Sequence, residues 1–82
     1  MKALMTRLEF WSSGLMMLDR FVIVPAGYSI PRTGEIIVLP DDPTPSKWRC
    51  DAVVHQLNYI EETRIEGETC TLFIVRILVS KA

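Results

Sequence analysis

The sequence predicts an all-β fold, either a small five-stranded SH3-like barrel or a curled antiparallel sheet. Runs of β-branched and aromatic residues recur along the chain, and clusters of glycine, proline and polar residues separate them. The chain of 82 residues fits one domain, residues 1–82, near the smallest size that a single hydrophobic core stabilises. No internal repeat is visible, so consecutive strands with short connections are expected.

The N-terminal third predicts a pair of strands. Apolar and polar residues alternate from Arg7 to Phe10, which is the period of a half-buried strand over residues 3–11. A turn follows at 12–14, and a second strand is predicted over 15–24, although its first residues are also compatible with a short helix. We interpret Met16 and Met17 as filling of the core.

The rest of the chain predicts three more strands with polar connections. Two prolines and two glycines make residues 25–34 irregular, and the β-branched run 35–39 then predicts the third strand. A proline-stiffened loop is expected at 41–46. A long strand over 47–60 and a last strand over 70–79 enclose an acidic, solvated hairpin tip at 61–69.

The final hairpin sets a specific register if its turn is centred near residue 65. Val53 then lies opposite Ile77, His55 opposite Val75, and Leu57 opposite Phe73, so this face should be the core. The same register places Cys50 opposite Ser80 and Cys70 opposite Ile60, too far apart for a disulfide. The opposite face combines Cys50, Ala52, Val54, Gln56 and Asn58 with Leu72, Ile74, Arg76, Leu78 and Ser80.

That second face predicts self-association. A strand with one side in water should alternate apolar and polar residues, and the last strand is apolar on both sides. We therefore expect a homo-oligomer whose interface contains Leu72, Ile74, Arg76 and Leu78.

Composition excludes several classes of site. Cys50, Cys70 and His55 are too few, and wrongly spaced, for a structural zinc site, so no metal or cofactor is expected. The formal net charge is −1 and no basic block is present, which disfavours nucleic acid as the main partner. The longest apolar stretch, 15–26, is interrupted by Asp19 and Arg20 and is too short to span a bilayer. We expect a cytoplasmic protein without a membrane partner.

The candidate binding residues are Tyr28, Arg32, Trp48, Arg49 and His55. Tyr28 and Arg32 lie in the long irregular segment, and Trp48 and Arg49 begin the long strand. If the irregular segment folds back, then Tyr28, Arg32 and Trp48 line one groove. The alternative is that Trp48 only closes the end of the barrel. A nucleic-acid site would use Arg32, Lys47, Trp48 and Arg49.

His55 is the candidate for acid–base chemistry, since it is the single histidine of the chain. Asp51 lies on the same strand four residues earlier, about 13 Å away at the usual rise, which is too far for an orienting hydrogen bond. A structural, half-buried histidine is therefore favoured over a catalytic one, and no catalytic residue is assigned.

Two segments resemble a known group of proteins. Pro31-Arg32-Thr33-Gly34-Glu35-Ile36-Ile37-Val38-Leu39-Pro40 and Trp48-Arg49-Cys50-Asp51-Ala52-Val53-Val54-His55 are similar to a pattern in small uncharacterised β-rich proteins of phages and mobile bacterial gene cassettes. The resemblance implies an accessory protein of a mobile element and carries over no functional residues.

These observations favour a non-enzymatic, oligomeric binding module for a protein or a small molecule. A nucleic-acid-binding barrel and a small enzyme that uses His55 are the alternatives.

Overall fold

The computed structural model describes residues 3–39, 43 and 46–82, and the side chains of residues 58 and 59 lie outside that description. Its five strands are β1 (Ala3–Ser12), β2 (Met17–Pro25), β3 (Ile36–Val38), β4 (Lys47–Ile65) and β5 (Glu68–Lys81). No helix occurs within the described ranges, and the all-β prediction is confirmed. The loop predicted at 41–46 falls almost entirely outside the described residues.

The strands form one curled sheet in the order β2-β1-β5-β4-β3, which makes a half-barrel. Three of the strand pairs are antiparallel, whereas β1 and β5 run parallel. The predicted sheet was antiparallel throughout, and that detail is wrong for this pair. Parallel neighbours need a long connection between them, and the three intervening strands supply it.

The concave inner face of the sheet carries the hydrophobic core. Ile77 and Val79 of β5 are almost fully buried there, between β1 on one side and β4 on the other. Leu39, which follows β3, folds onto the same core. The buried members of this cluster are Leu8, Phe10, Val24, Leu39, Cys50, Val75, Ile77 and Val79.

The β4–β5 turn is tighter and later than the sequence predicted. Ile65 pairs with Glu68, so Glu66 and Gly67 alone form the turn, and both have positive φ angles, 51° and 82°. A two-residue hairpin with both φ angles positive matches the right-handed twist of its strands. The Arg64 guanidinium also donates to the Gly67 carbonyl at 2.9 Å.

Two bulges in β4 decide which residues face the core. Between them the predicted pairs Val53–Ile77 and His55–Val75 are confirmed. The first bulge, at Asp51, turns Cys50 inward opposite Val79, although the simple register placed it on the outer face. The second bulge spans residues 57–59, so Phe73 pairs with Ile60 and the prediction for Leu57 is wrong. Leu57 is 79% exposed.

The chain itself covers part of the convex outer face of the sheet. Leu72 and Ile74 of β5 are buried, yet they lie outside the core cluster. Register places Arg7 beside Ile74, and Glu9 beside Arg76. Long side chains of the neighbouring strands therefore shield the apolar part of this face.

The β1–β2 turn corrects one further prediction. Residues 13–16 form the turn, so β2 begins only at Met17, and no helix precedes it. Met16 and Met17 are both mostly exposed, at 60% and 61%. They do not fill the core, because Met16 lies in the turn and Met17 is the first residue of β2, at the end of the sheet.

Candidate functional site

The open side of the half-barrel forms an apolar cleft, which we call the seam cleft. The edge strands β2 and β3 face each other across it, and the strand order leaves them unpaired with one another. Its volume is about 380 Å³. The core side chains Leu8 and Phe10 form the floor of the seam cleft. The lining residues are Leu8, Phe10, Val22, Val24, Tyr28, Ser29, Pro31, Ile37 and Val38.

The segment after β2 places a polar group at the mouth of this cleft. Pro25 ends the strand, and a turn follows in which the Tyr28 N–H donates to the Pro25 carbonyl at 3.1 Å. Gly27 accommodates the positive φ of 92° that this turn requires. Tyr28 is consequently more than half exposed, with its ring on the cleft and its hydroxyl available to orient a ligand.

The far end of the same segment, at residues 34 and 35, is hydrogen-bonded to β4. The Gly34 N–H donates to the Cys50 carbonyl at 2.7 Å, and the Cys50 N–H donates to the Glu35 carbonyl at 2.9 Å. The Arg32 N–H donates to the Glu35 carboxylate at 2.6 Å, which closes the turn. Gly34 has a φ of 93°, as the predicted turn requires. The wall of the cleft is therefore fixed by backbone bonds at both ends.

The side chains that line the seam cleft are mainly apolar. None of the described side chains that line it is a carboxylate, an imidazole or a thiol. The nearby thiol of Cys50 is buried, and burial, with smaller contributions from Asp51 and Glu35, raises its pKa. A thiol held neutral in this way is a poor nucleophile. The cleft thus offers shape and apolar surface rather than acid–base groups.

Tyr28, Arg32 and Trp48, which were predicted to line one groove, are divided among three depressions. Tyr28 lines the seam cleft. Arg32 lies in a shallow neighbouring groove of about 550 Å³, which meets the seam cleft at Ser29. Trp48 packs against the core at the end of the sheet, beside a separate cleft of about 250 Å³. The single groove is not formed, because Trp48 lines the cleft beside Leu15 and Val79 and not the seam cleft that Tyr28 lines.

Trp48 and Arg49 are committed to local contacts. The Trp48 Nε1 donor is buried and has no hydrogen-bond acceptor among the described residues, and the Lys81 ammonium lies 5.9 Å from the ring centre. The Arg49 guanidinium donates to Asp51 at 3.2 Å and to the Ser80 hydroxyl at 3.3 Å. Contacts within the chain therefore hold the Trp48 ring and the Arg49 guanidinium, whereas Lys47 and Lys81 are exposed cations at this end.

His55 is exposed on β4, so the expectation that it is half-buried is wrong, and it does not line the seam cleft. Asp51, the acid considered with it, accepts a hydrogen bond from the Ser13 hydroxyl at 2.8 Å and pairs with Arg49. Hydrogen bonds from Ser80 and Ser13, together with Arg49, lower the pKa of Asp51. The Asp51 carboxylate therefore stabilises the bulge in β4 and the β1–β2 turn.

The outer face carries a polar cluster that was not predicted from the sequence. Glu9 is 6% exposed, and its carboxylate lies 3.0 Å from Arg7 Nε, 3.4 Å from Arg76 Nε and 3.1 Å from the Trp11 indole N–H. The two guanidinium groups also stack, with Arg7 over Phe21 and Arg76 over Trp11. The alternation of Arg7, Glu9 and Trp11 was a visible signal, but pairing with Arg76 required the parallel register.

No family model, no curated protein and no solved structure matches this chain. Within the described residues there is also no helix of the length and apolar character needed to cross a membrane. The site must therefore be interpreted from its own geometry.

Proposed function

We propose that this protein is a non-enzymatic binding module that takes apolar side chains of an extended segment of a partner protein into the seam cleft. The single observation that carries the proposal is the cleft itself, an apolar opening of about 380 Å³ between two sheet edges that pair with neither each other nor a further strand. Pockets of this size and character bind ligands in other proteins.

An extended peptide fits this opening better than a compact molecule does. The outer edges of β2 and β3 carry backbone donors and acceptors on both sides of the gap, and an added strand satisfies such groups. Alternate side chains of that strand point to one face, so they enter the cleft above Leu8 and Phe10. Tyr28 and Ser29 supply polar contacts at the mouth.

Self-association through the outer face is part of the same proposal. Leu72 and Ile74 are buried within one chain, so a second copy would contact this face mainly through Arg76, Leu78 and their exposed neighbours Phe21 and Val54. The resemblance to proteins of phages and mobile gene cassettes supports an accessory role, in which a small module recognises a protein.

The test is selection of peptides from a displayed random library on the immobilised protein, followed by affinity measurement by fluorescence polarisation. Val38→Trp places a bulky ring in the cleft, and Ile36→Trp is its matched control, because both residues are about half exposed on β3 and only Val38 lines the cleft. We expect Val38→Trp to weaken binding by at least about tenfold, or about 1.4 kcal/mol.

Ile36→Trp should leave the affinity within about a factor of two, well below that tenfold step. Amide shifts on binding should map to Tyr28, Ser29 and the inner side of β2. Equal affinities for the two variants, or shifts elsewhere on the sheet, would show that the seam cleft is not the site.

A further inference from the structure

The β1–β2 turn presents a continuous apolar tip at one end of the sheet. Leu15, Met16, Met17 and Leu18 follow one another in sequence, and all four are exposed, Leu15 to 73%. Exposed apolar residues scattered singly are ordinary, whereas four together mark a surface that meets another phase or molecule. We call this segment, residues 15–18, the apolar tip.

The base of the turn is held in place. The Ser13 N–H donates to the Val79 carbonyl on β5 at 2.9 Å, and the Ser13 hydroxyl donates to Asp51 on β4. The Met16 N–H donates back to the Ser12 carbonyl at 2.7 Å. Contacts to two other strands therefore present the apolar tip in a defined position beyond the sheet.

Local folding does not account for the residues of the tip. Met16 has a φ of 52°, a conformation that costs a residue with a side chain on the order of 1 kcal/mol and that glycine adopts freely. The side chain gains no burial in return, since it is mostly exposed. A strained, exposed methionine between two apolar neighbours indicates a role outside the folded chain.

Two lysines lie on the strands at this end of the sheet. Lys81 is exposed at the end of β5 and pairs with Trp48, and Lys47 is exposed beside Trp48 at the start of β4. Trp48 and Leu15 line the same small cleft, which joins the tip to this basic group. Of the acids that the structure describes at this end, Asp51 pairs with Arg49 and Asp19 with Arg20.

The opposite end of the long β4–β5 hairpin is acidic. Glu61, Glu62, Glu66 and Glu68 lie there with Arg64. The formal net charge is only −1, but the charges are separated along the hairpin. The lysines lie at the end with the apolar tip, and the carboxylates lie at the far end. Such a molecule is oriented by a negatively charged surface.

We propose that this end of the protein docks on an anionic lipid bilayer, with the apolar tip inserted at the headgroup level and Lys47 and Lys81 on the lipid phosphates. An exposed tip of methionine and leucine side chains suits insertion into a bilayer. A protein partner would need a groove that matches the tip.

This surface shares no residue with the seam cleft, so the two sites function and fail independently. It also revises the sequence-based expectation that no membrane partner exists. That expectation rested on the length needed for a spanning helix, and peripheral docking has no such length requirement.

The test is flotation of the full chain with two kinds of vesicle, one of phosphatidylcholine alone and one in which phosphatidylglycerol is mixed with it. The protein should float with the mixed vesicles and much less with phosphatidylcholine, and added salt should release it. Leu15→Ser with Met16→Ser should reduce the partition coefficient by about tenfold or more. Lys47→Gln and Lys81→Gln should each reduce it by about fivefold.

Ile36→Ser is the control variant, because Ile36 is an exposed apolar residue on the other edge of the sheet. It should float like the parent protein, and unfolding curves should show that all variants fold. Absence of flotation, equal flotation of the Leu15→Ser/Met16→Ser variant, or equal binding to both vesicles would overturn the proposal. So would sedimentation showing that the tip instead holds two copies of the protein together and that the serine variant separates them.

Discussion

The two faces of β5 are both kept from water, but by different chemistry. On the inner face, Val75, Ile77 and Val79 pack against apolar residues of the neighbouring strands and of the segment that follows β3. On the outer face, Leu72 and Ile74 are equally well buried, and the cover includes arginines, a glutamate and aromatic rings. Apolar burial on the outer face therefore depends on charged side chains being neutralised by each other.

The difference bears on how an apolar strand should be interpreted. A strand that is apolar on both sides suggests a partner chain, and that was the argument for self-association from the sequence. In the structure, the aliphatic parts of Arg7 and Arg76 lie across the sheet, and Glu9 holds their charged ends together. The chain thereby supplies much of the cover that a second copy was expected to supply, while Arg76 and Phe21 stay accessible.

The largest expected effect comes from removing one buried side chain on each face. Ile77→Ala and Leu72→Ala should each lower the free energy of unfolding by about 2–5 kcal/mol, because both residues are at most 2% exposed and each leaves a cavity. Urea denaturation measures both. A cost below about 1 kcal/mol for Leu72 alone would show that the outer face is loosely packed and depends on a partner.

A smaller effect is expected from the carboxylate that organises the outer face. Glu9→Gln keeps the shape of the side chain but removes the charge between Arg7 and Arg76, so we expect a loss of about 2 kcal/mol, less than for a deeply buried ion pair because Arg76 is partly exposed. Glu68→Gln, on the exposed hairpin tip, is the control and should change stability by less than about 0.5 kcal/mol. Equal effects of the two substitutions would contradict the structural role given to Glu9.

The bulge at Asp51 in β4 should be sensitive to acid. The lowered pKa of Asp51 means that its folded-state interactions stabilise the protein above the ordinary value of 3.8 and are lost as pH falls through the lowered folded value. Asp51→Asn should lower the Tm at neutral pH and flatten the decline of Tm below about pH 4. A decline as steep in the variant as in the parent would assign the acid sensitivity to other carboxylates.

The smallest structural effect should come from relieving strain at the turn. Met16→Gly removes the side chain from a residue with positive φ, and we expect a gain of up to about 1 kcal/mol, offset in part by the freedom that glycine has in the unfolded chain. Gly14→Ala, in the same turn without a positive φ, is the comparison. A clear loss of stability for Met16→Gly would mean that the methionine side chain supports the fold after all.

Much of this architecture was predictable from local signals. The alternation of apolar and polar residues predicted β1, and runs of β-branched residues predicted β3 and β5. The polar segment after residue 60 predicted the β4–β5 hairpin, including the correct pairs around Val53. The candidate site was less predictable. Tyr28 was identified from its place in an irregular segment, but the valines and leucines beneath it have the composition of an ordinary core. Only the gap between β2 and β3 distinguishes a cleft from a closed interior.

The sequence by itself determined the approximate positions of the strands, the all-β class and the charge of each turn, because these depend on residues close together along the chain. Tertiary structure alone decided the parallel pairing of β1 with β5, the bulges that reverse the facing of Cys50, and the half-barrel that stays open. Those features depend on free-energy differences among distant pairings, and a one-residue shift exchanges the two faces of a strand. For the same reason, the cover over Leu72 and Ile74 was visible only when Glu9 and Arg76 were brought side by side.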